Sequence, residues 1–138
     1  MIKRILVPVD GSASSEKSIV QAISIAEKFN AKIHFLYVAN INQIAINPNL
    51  THAIMDAMRA AGTAILERAA SMVPENVAYE KIMETGAPAA VILEYEEILD
   101  ADLIIMGSRG LGVVKGVLLG SVSQYIIERA KGPVMVIK

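Results

Sequence analysis

The sequence predicts an α/β fold of three layers, a five-stranded parallel sheet between two sets of helices, and three observations carry the prediction. Five strand-sized segments, four of them mainly apolar and one alternating, are interleaved with four segments whose apolar residues recur at helical spacing. That β-α-β-α-β-α-β-α-β order implies right-handed crossovers and helices on both faces of one sheet. Two of the runs, Ile5-Leu6-Val7-Pro8-Val9 and Leu103-Ile104-Ile105-Met106, are continuously apolar, as strands covered on both faces are. Each of these two runs ends in turn chemistry, Asp10-Gly11-Ser12 and Gly107-Ser108-Arg109-Gly110.

Taken in order, Met1 to Val9 holds the first strand, with Pro8 at its last residue or at a bulge because proline cannot donate to a ladder. Ser14 to Phe29 is a helix by the spacing of Ile19, Ala22, Ile23 and Ala26, and Asn30 can terminate it. Lys32 to Val38 is the second strand. Ala39 to Leu50, with four Asn and one Pro, reads as a long loop. Thr51 to Val73 carries Ile54, Met58, Ala61, Ile65, Ala69 and Met72 on one helical face and stops at Pro74. Gly62 inside it costs about 1 kcal/mol against Ala, which points to another backbone packed close. Val77 to Glu84 alternates and carries charges, the pattern of an edge strand with one wet face. Pro88 suits a first helical residue, and Val91, Ile92, Tyr95, Ile98 and Leu99 line the helix it opens. Glu94, Glu96, Glu97 and Asp100 read as that helix's wet face. After the fourth strand and the glycine stretch comes a helix over Gln124 to Ala130, closed by Gly132. Pro133-Val134-Met135-Val136-Ile137 is the fifth strand.

A chain of 138 residues is one domain's worth, and a single domain over 1–138 is expected. The hydrophobic fraction of 54% and mean hydropathy of +0.47 are high, yet the uncharged apolar runs are strand-sized, so no membrane span is expected. Net charge is −1 and no Lys/Arg cluster interleaves with aromatics, which gives nucleic-acid binding no support. The absence of cysteine excludes disulfides, thiolate metal sites and cysteine catalysis. Lys3 and Arg4 precede an apolar segment that Asp10 ends too early for a signal peptide, so a cytoplasmic location is the expectation.

The chemistry concentrates between Gly107 and Ser123: Gly107-Ser108-Arg109-Gly110, nine residues, then Gly120-Ser121-Val122-Ser123. These glycines fall where a buried strand turns toward a helix. Backbone N–H groups at a helix start, aided by the helix dipole, hold phosphates there. Glycine permits a tight turn and lets the backbone come close to a ligand. In a doubly wound sheet the switch point lies beside the first strand, which puts Asp10 opposite the glycine stretch.

On Val7-Pro8-Val9-Asp10-Gly11-Ser12, Asp102 to Gly110, Gly120-Ser121-Val122-Ser123 and Pro133 to Ile137, the chain resembles a universal stress protein of the small, single-domain, ATP-binding kind, over essentially its whole length. The resemblance implies a Rossmann-like sheet of order 3-2-1-4-5, a bound adenine nucleotide and a homodimer formed through the last strand. It gives the residues roles that the physics of each supports. Gly107 and Gly110 let the chain turn beneath ribose and phosphates. Gly120 and Ser121 supply N–H groups, and the Ser121 and Ser123 hydroxyls supply further donors. Arg109 adds a charge-assisted phosphate contact, against the alternative of a solvated arginine. Asp10 accepts from a ribose hydroxyl or holds a metal-bound water, against the alternative of a turn or N-cap residue. Val38 pairs with adenine through its backbone while Val9 and Met106 flank the base, with core packing as the alternative for all three. Pro8 and Val122 complete the candidate set. Mg²⁺ or Mn²⁺ would be held through the phosphates. Lys115, in the spacer, reads as a solvated charge.

Other constellations fail. Val113-Val114 stand where a Walker A loop needs Lys followed by Ser or Thr, and Gly110-x-Gly112 lacks a third glycine. His34 and His52 have no neighbouring His or Cys and read as packed or solvated, not as metal ligands. No nucleophile or paired carboxylate accompanies the glycines, so no catalytic residue is assigned. A nucleotide-dependent regulatory dimer is the favoured function. An enzyme that slowly hydrolyses ATP or transfers a nucleotidyl group and a dimeric scaffold without nucleotide are the alternatives. The apolar Pro133 to Ile137 strand at the sheet edge invites pairing with a second copy.

Overall fold

The computed structural model describes residues 1–40, 48–110 and 119–138. The described elements are β1 (Arg4–Pro8), α1 (Ala13–Phe29), β2 (Lys32–Asn40), α2 (Pro48–Ser71), β3 (Tyr79–Gly86), α3 (Pro88–Leu99), β4 (Leu103–Gly107), α4 (Ser121–Arg129) and β5 (Val134–Ile137). The five strands form one parallel sheet of order β3-β2-β1-β4-β5. That is the predicted fold, with β1 at the centre and β3 and β5 at the edges.

Central position explains the run of apolar residues in β1. Ile5, Leu6 and Val7 are fully buried because alternate side chains enter two different cores. Ile5, Val7 and Val9 join Ile19, Ala22, Leu66 and Ala69 of α1 and α2, while Leu6 joins Leu36, Ile92, Ile104 and Ile126 on the α3 and α4 side. Each fully buried aliphatic side chain of this kind is worth about 1.5–3 kcal/mol relative to exposure.

Pro8 is the last residue of β1, and its place shapes the site. The Val9 N–H donates to Leu36 O at 2.9 Å, so odd-numbered β1 residues bond toward β2 and even-numbered ones toward β4. Pro8 therefore faces β4 with no hydrogen to give. The β1–β4 register runs only over Ile5↔Leu103 and Leu6↔Ile104, whereas β1–β2 continues to Pro8↔Leu36. The sheet opens between β1 and β4 at the carboxyl ends, the switch point of this topology.

Several expectations are corrected in detail. β2 continues to Asn40 and α2 starts at Pro48, so only 41–47 of the expected loop lies outside the described residues. On α2 the expected face holds at Ala69, which is buried, and at Ile65 and Met72, which pack against the core, but Ala61 is exposed and Gly62, Leu66 and Ala70 are buried as well. What approaches Gly62 is the Tyr37 ring, not a backbone, since an added Cβ would strike that ring. β3 starts at Tyr79 because its ladder with β2 runs from Ile33↔Tyr79 to Asn40↔Gly86, and pairing rather than alternation sets its ends. In α3, Ile98 is exposed and Glu96 is buried. The Glu96 carboxylate accepts from the Lys131 and Gly132 N–H groups at 3.0 and 3.1 Å. Gly132 serves that turn instead of capping α4, whose C-cap is the extended Ala130. Asn30 does close α1 in the left-handed conformation, with φ 54°.

Candidate functional site

Two loops meet at the opening between β1 and β4. The β1–α1 loop is rigid through its own short hydrogen bonds. Asp10 Oδ1 accepts from the Ser12 N–H at 2.9 Å, the Asp10 N–H donates to Ser15 Oγ at 3.2 Å, and Ser12 Oγ caps α1 by accepting from the Ser15 N–H at 3.2 Å. Gly11 takes φ +84°, a conformation glycine adopts without strain. Asp10 is thus a turn residue, Ser12 is the helix cap, and the second carboxylate oxygen is left facing Gly110.

The β4–α4 loop is stapled to the first by serines that sequence reading passed over. Ser14 Oγ donates to Arg109 O at 2.5 Å and Ser12 Oγ donates to the same carbonyl at 3.3 Å. The Arg109 N–H donates to Ser14 Oγ at 3.4 Å. The cap-forming character of Ser12, three residues before Ser15, was the available signal, but nothing local to the sequence pairs it with Arg109. The Arg109 side chain is exposed and takes part in no ion pair found among the described residues.

The three motif glycines differ in what they make room for. At Gly107 an added Cβ would strike Ser14 Oγ and lie 2.8 Å from both Ser14 C and Ser15 N, so this glycine lets α1 pack against the end of β4. At Gly110 it would lie 2.7 Å from Asp10 Oδ2. At Gly120 the nearest atoms among the described residues would be Arg109 Cα and Ser108 O at 3.5 Å and Gly110 N at 3.7 Å, ordinary contacts, and φ is −71°. Neither the conformation nor a contact among the described residues requires glycine at position 120.

Gly120 is the N-cap of α4, and among the described residues no side chain caps that helix. Its first i→i−4 bond runs from the Gln124 N–H to Gly120 O at 3.0 Å, so the Ser121, Val122 and Ser123 amides precede it as uncapped donors at the positive end of the helix dipole. Two expected donors are committed inside the protein instead. The Gly120 N–H donates to Ser108 O at 2.7 Å, and Ser123 Oγ, on a buried residue, donates to Ser108 O at 2.9 Å and Gly120 O at 3.1 Å. An anion at this helix would meet the first-turn amides and the exposed Ser121, with nothing in the described residues to compete.

The candidate base-flanking residues lie at the strand ends. Val9 and Met106 are buried, in the α1/α2 and α3/α4 cores respectively, and the half-buried Val38 packs against the second. Tyr37 stands close enough to Asp10 to feel its charge: burial first, and that carboxylate second, raise the phenol above its ordinary value. A cleft of about 230 Å³ between α1 and α2, lined by Val9, Gly11, Ser12, Ile19 and Ile65 among others, adjoins this loop from behind; none of the motif glycines lines it. Lys115 lies outside the described residues. His34 is buried with Nδ1 2.5 Å from Glu80 Oε1, and among the described residues no group of three His, Cys, Asp or Glu could hold a metal ion. No described helix is long and apolar enough to cross a membrane.

An open doubly wound α/β domain with an uncapped helix start at its switch point belongs to the class built to take anionic ligands between strands. A family model described as the universal stress protein family matches residues 1–138, and the chain belongs to that family. It is 33% identical over 141 aligned residues to universal stress protein MJ0531 of Methanocaldococcus jannaschii, covering all of this chain and 83% of that protein. Among solved structures, the one reported for hypothetical protein MJ0577 superposes with a TM-score of 0.91 at 25% identity, covering all of this chain and 96% of the other. A universal stress protein family member from Arabidopsis thaliana with AMP bound superposes with a TM-score of 0.74 at 26% identity, covering 99% of this chain and 91% of that one.

Proposed function

We propose that this domain binds an adenine nucleotide, ATP by preference, at the opening between β1 and β4 and acts in stress response as a homodimeric, nucleotide-dependent regulatory module. The observation that carries the reading is the start of α4: a glycine N-cap that no contact among the described residues demands, followed by three amides that no side chain among those residues caps. Phosphates would accept from the Ser121, Val122 and Ser123 N–H groups, with the Ser121 hydroxyl and the Arg109 guanidinium within the same loop system. The free oxygen of Asp10 is the acceptor for a ribose hydroxyl, and Pro8, Val9, Val38 and Met106 form the apolar strand ends on which a base would rest. A divalent cation, Mg²⁺ or Mn²⁺, would ride on the phosphates. The AMP held by the Arabidopsis relative supports this class of ligand. The dimer would form through β5, whose residues Val134 to Ile137 are all apolar and which, among the described residues, pairs on one side only, with β4. Pro133 stands just outside the strand and presents its carbonyl to the Ile104 N–H at 3.1 Å.

Calorimetric titration of the purified chain with ATP tests the reading, followed by chromatography of the nucleotide after prolonged incubation with excess protein. Saturable binding with ATP recovered intact is expected. Conversion to ADP would replace the regulatory module with a slow hydrolase, and no heat of binding with any adenine nucleotide would leave the scaffold reading in its place.

A further inference from the structure

Ser108 stands where the nucleotide site and the edge strand meet. Its N–H donates to Ile137 O at 2.7 Å, the last rung between β4 and β5. Its own carbonyl accepts from the Gly120 N–H at 2.7 Å and from Ser123 Oγ at 2.9 Å. Ser108 is 1% exposed, and close packing leaves such a residue no room to adjust alone. The next residue gives no slack either, because Arg109 O is held by the hydroxyls of Ser12 and Ser14. One residue thus ties the end of β5 to the N-cap of α4, and its amide and carbonyl move through shared backbone torsions.

Resting on the reading above, we propose that Ser108 couples nucleotide occupancy to edge-strand pairing. An anion on the α4 amides fixes Gly120 and Ser123 against Ser108 O, and Ser108 in turn holds Ile137, and with it the outer edge of β5, in the register a second copy needs. Thermodynamic linkage makes the effect mutual: the nucleotide tightens the dimer by the factor by which the dimer tightens nucleotide binding, typically about 5–150-fold for coupled sites.

Sedimentation analysis of the full chain with and without saturating ATP, for the wild type and Ser123→Ala, tests this alongside hydrogen exchange at the Ser108 amide. ATP is expected to lower the wild-type dimer dissociation constant at least about fivefold, to protect the Ser108 amide, and to lose most of its effect on the dimer in Ser123→Ala. A wild-type dimer indifferent to ATP that binds, or the same ATP effect in both proteins, overturns the coupling and leaves the nucleotide site standing. Failure to bind ATP, or a chain that stays monomeric, overturns the coupling together with the reading it rests on. Should Ser123→Ala not fold, wild-type exchange decides, and a Ser108 amide that exchanges equally fast with and without ATP refutes the proposal.

Discussion

Gly107 and Gly120 look alike in sequence, but the structure predicts opposite consequences for adding one methyl group to each. At Gly120 the nearest contacts of the new carbon among the described residues would be at 3.5 Å, and the backbone φ of −71° suits alanine. Loss of glycine's unfolded-state freedom favours the variant by about 0.4–1 kcal/mol, while alanine at an N-cap costs about 0.5–1 kcal/mol. The two nearly cancel, so Gly120→Ala should leave the urea midpoint almost unchanged. On the proposal that phosphates sit on the α4 amides, a methyl at the adjoining N-cap is expected to cost tenfold or more in ATP affinity, about 1.4 kcal/mol or more. At Gly107 the methyl would lie 2.8 Å from backbone atoms of Ser14 and Ser15, which cannot rotate aside. The start of α1 must shift, at the cost of about 1–3 kcal/mol usual for overpacking. Urea unfolding and calorimetry on both variants give the answer. A Gly120→Ala protein that binds ATP as tightly as the wild type refutes the placement of phosphates at α4, and a Gly107→Ala protein of undiminished stability refutes the account of α1 packing on β4.

Two further predictions concern buried polar groups on α3. The Tyr95 hydroxyl donates to Glu84 Oε1 at 2.6 Å; that bond, then burial and the charge of Glu84, push the phenol up to about 12. A raised folded pKa favours the protonated form, so this contribution is complete below about 10, the unfolded value, and disappears as pH climbs from there toward about 12. The wild type should lose stability across that window by an increment that Tyr95→Phe lacks, and parallel pH profiles would contradict it. Replacing Glu96 with alanine strands the Lys131 and Gly132 amides in a part-buried turn. A loss of about 1.5–3 kcal/mol is expected from hydrogen bonds to a charged group, with Glu96→Gln intermediate because its amide oxygen can still accept one of them; an unfolding midpoint unchanged in both variants would show that the turn holds without the carboxylate.

The layers, the strand count and the position of the glycine stretch were legible because continuous apolar runs, helical periodicity and turn residues all answer to local physics. The order of the strands came from the resemblance, and the ladders agree with it. What escaped were features decided by partners distant in sequence. Glu96 has the composition of a wet helix face, and only the return of the chain at Lys131 and Gly132 turns it inward. On α2 the apolar periodicity finds Ile65, Ala69 and Met72 but not Gly62, which sits under the Tyr37 ring and which no hydrophobicity scale would place inside. In the site, glycine spacing located the loop but could not distinguish Gly107, which accommodates α1, from Gly120, which meets only ordinary contacts among the described residues. The Gly120 N–H and the Ser123 hydroxyl were expected to serve a ligand, yet each finds Ser108 O across a separation in sequence that no pattern reveals.

Pro8 carries one more implication. Any other residue there would direct a peptide hydrogen into the gap toward β4, where the ladder has already ended. A hydrogen sequestered from water without an acceptor is costly, so the gap would have to be wetted or zipped shut. An imino acid removes that obligation at its source. With proline there, the gap beside β4 holds no β1 hydrogen from position 8 that would call for water or for a closed ladder.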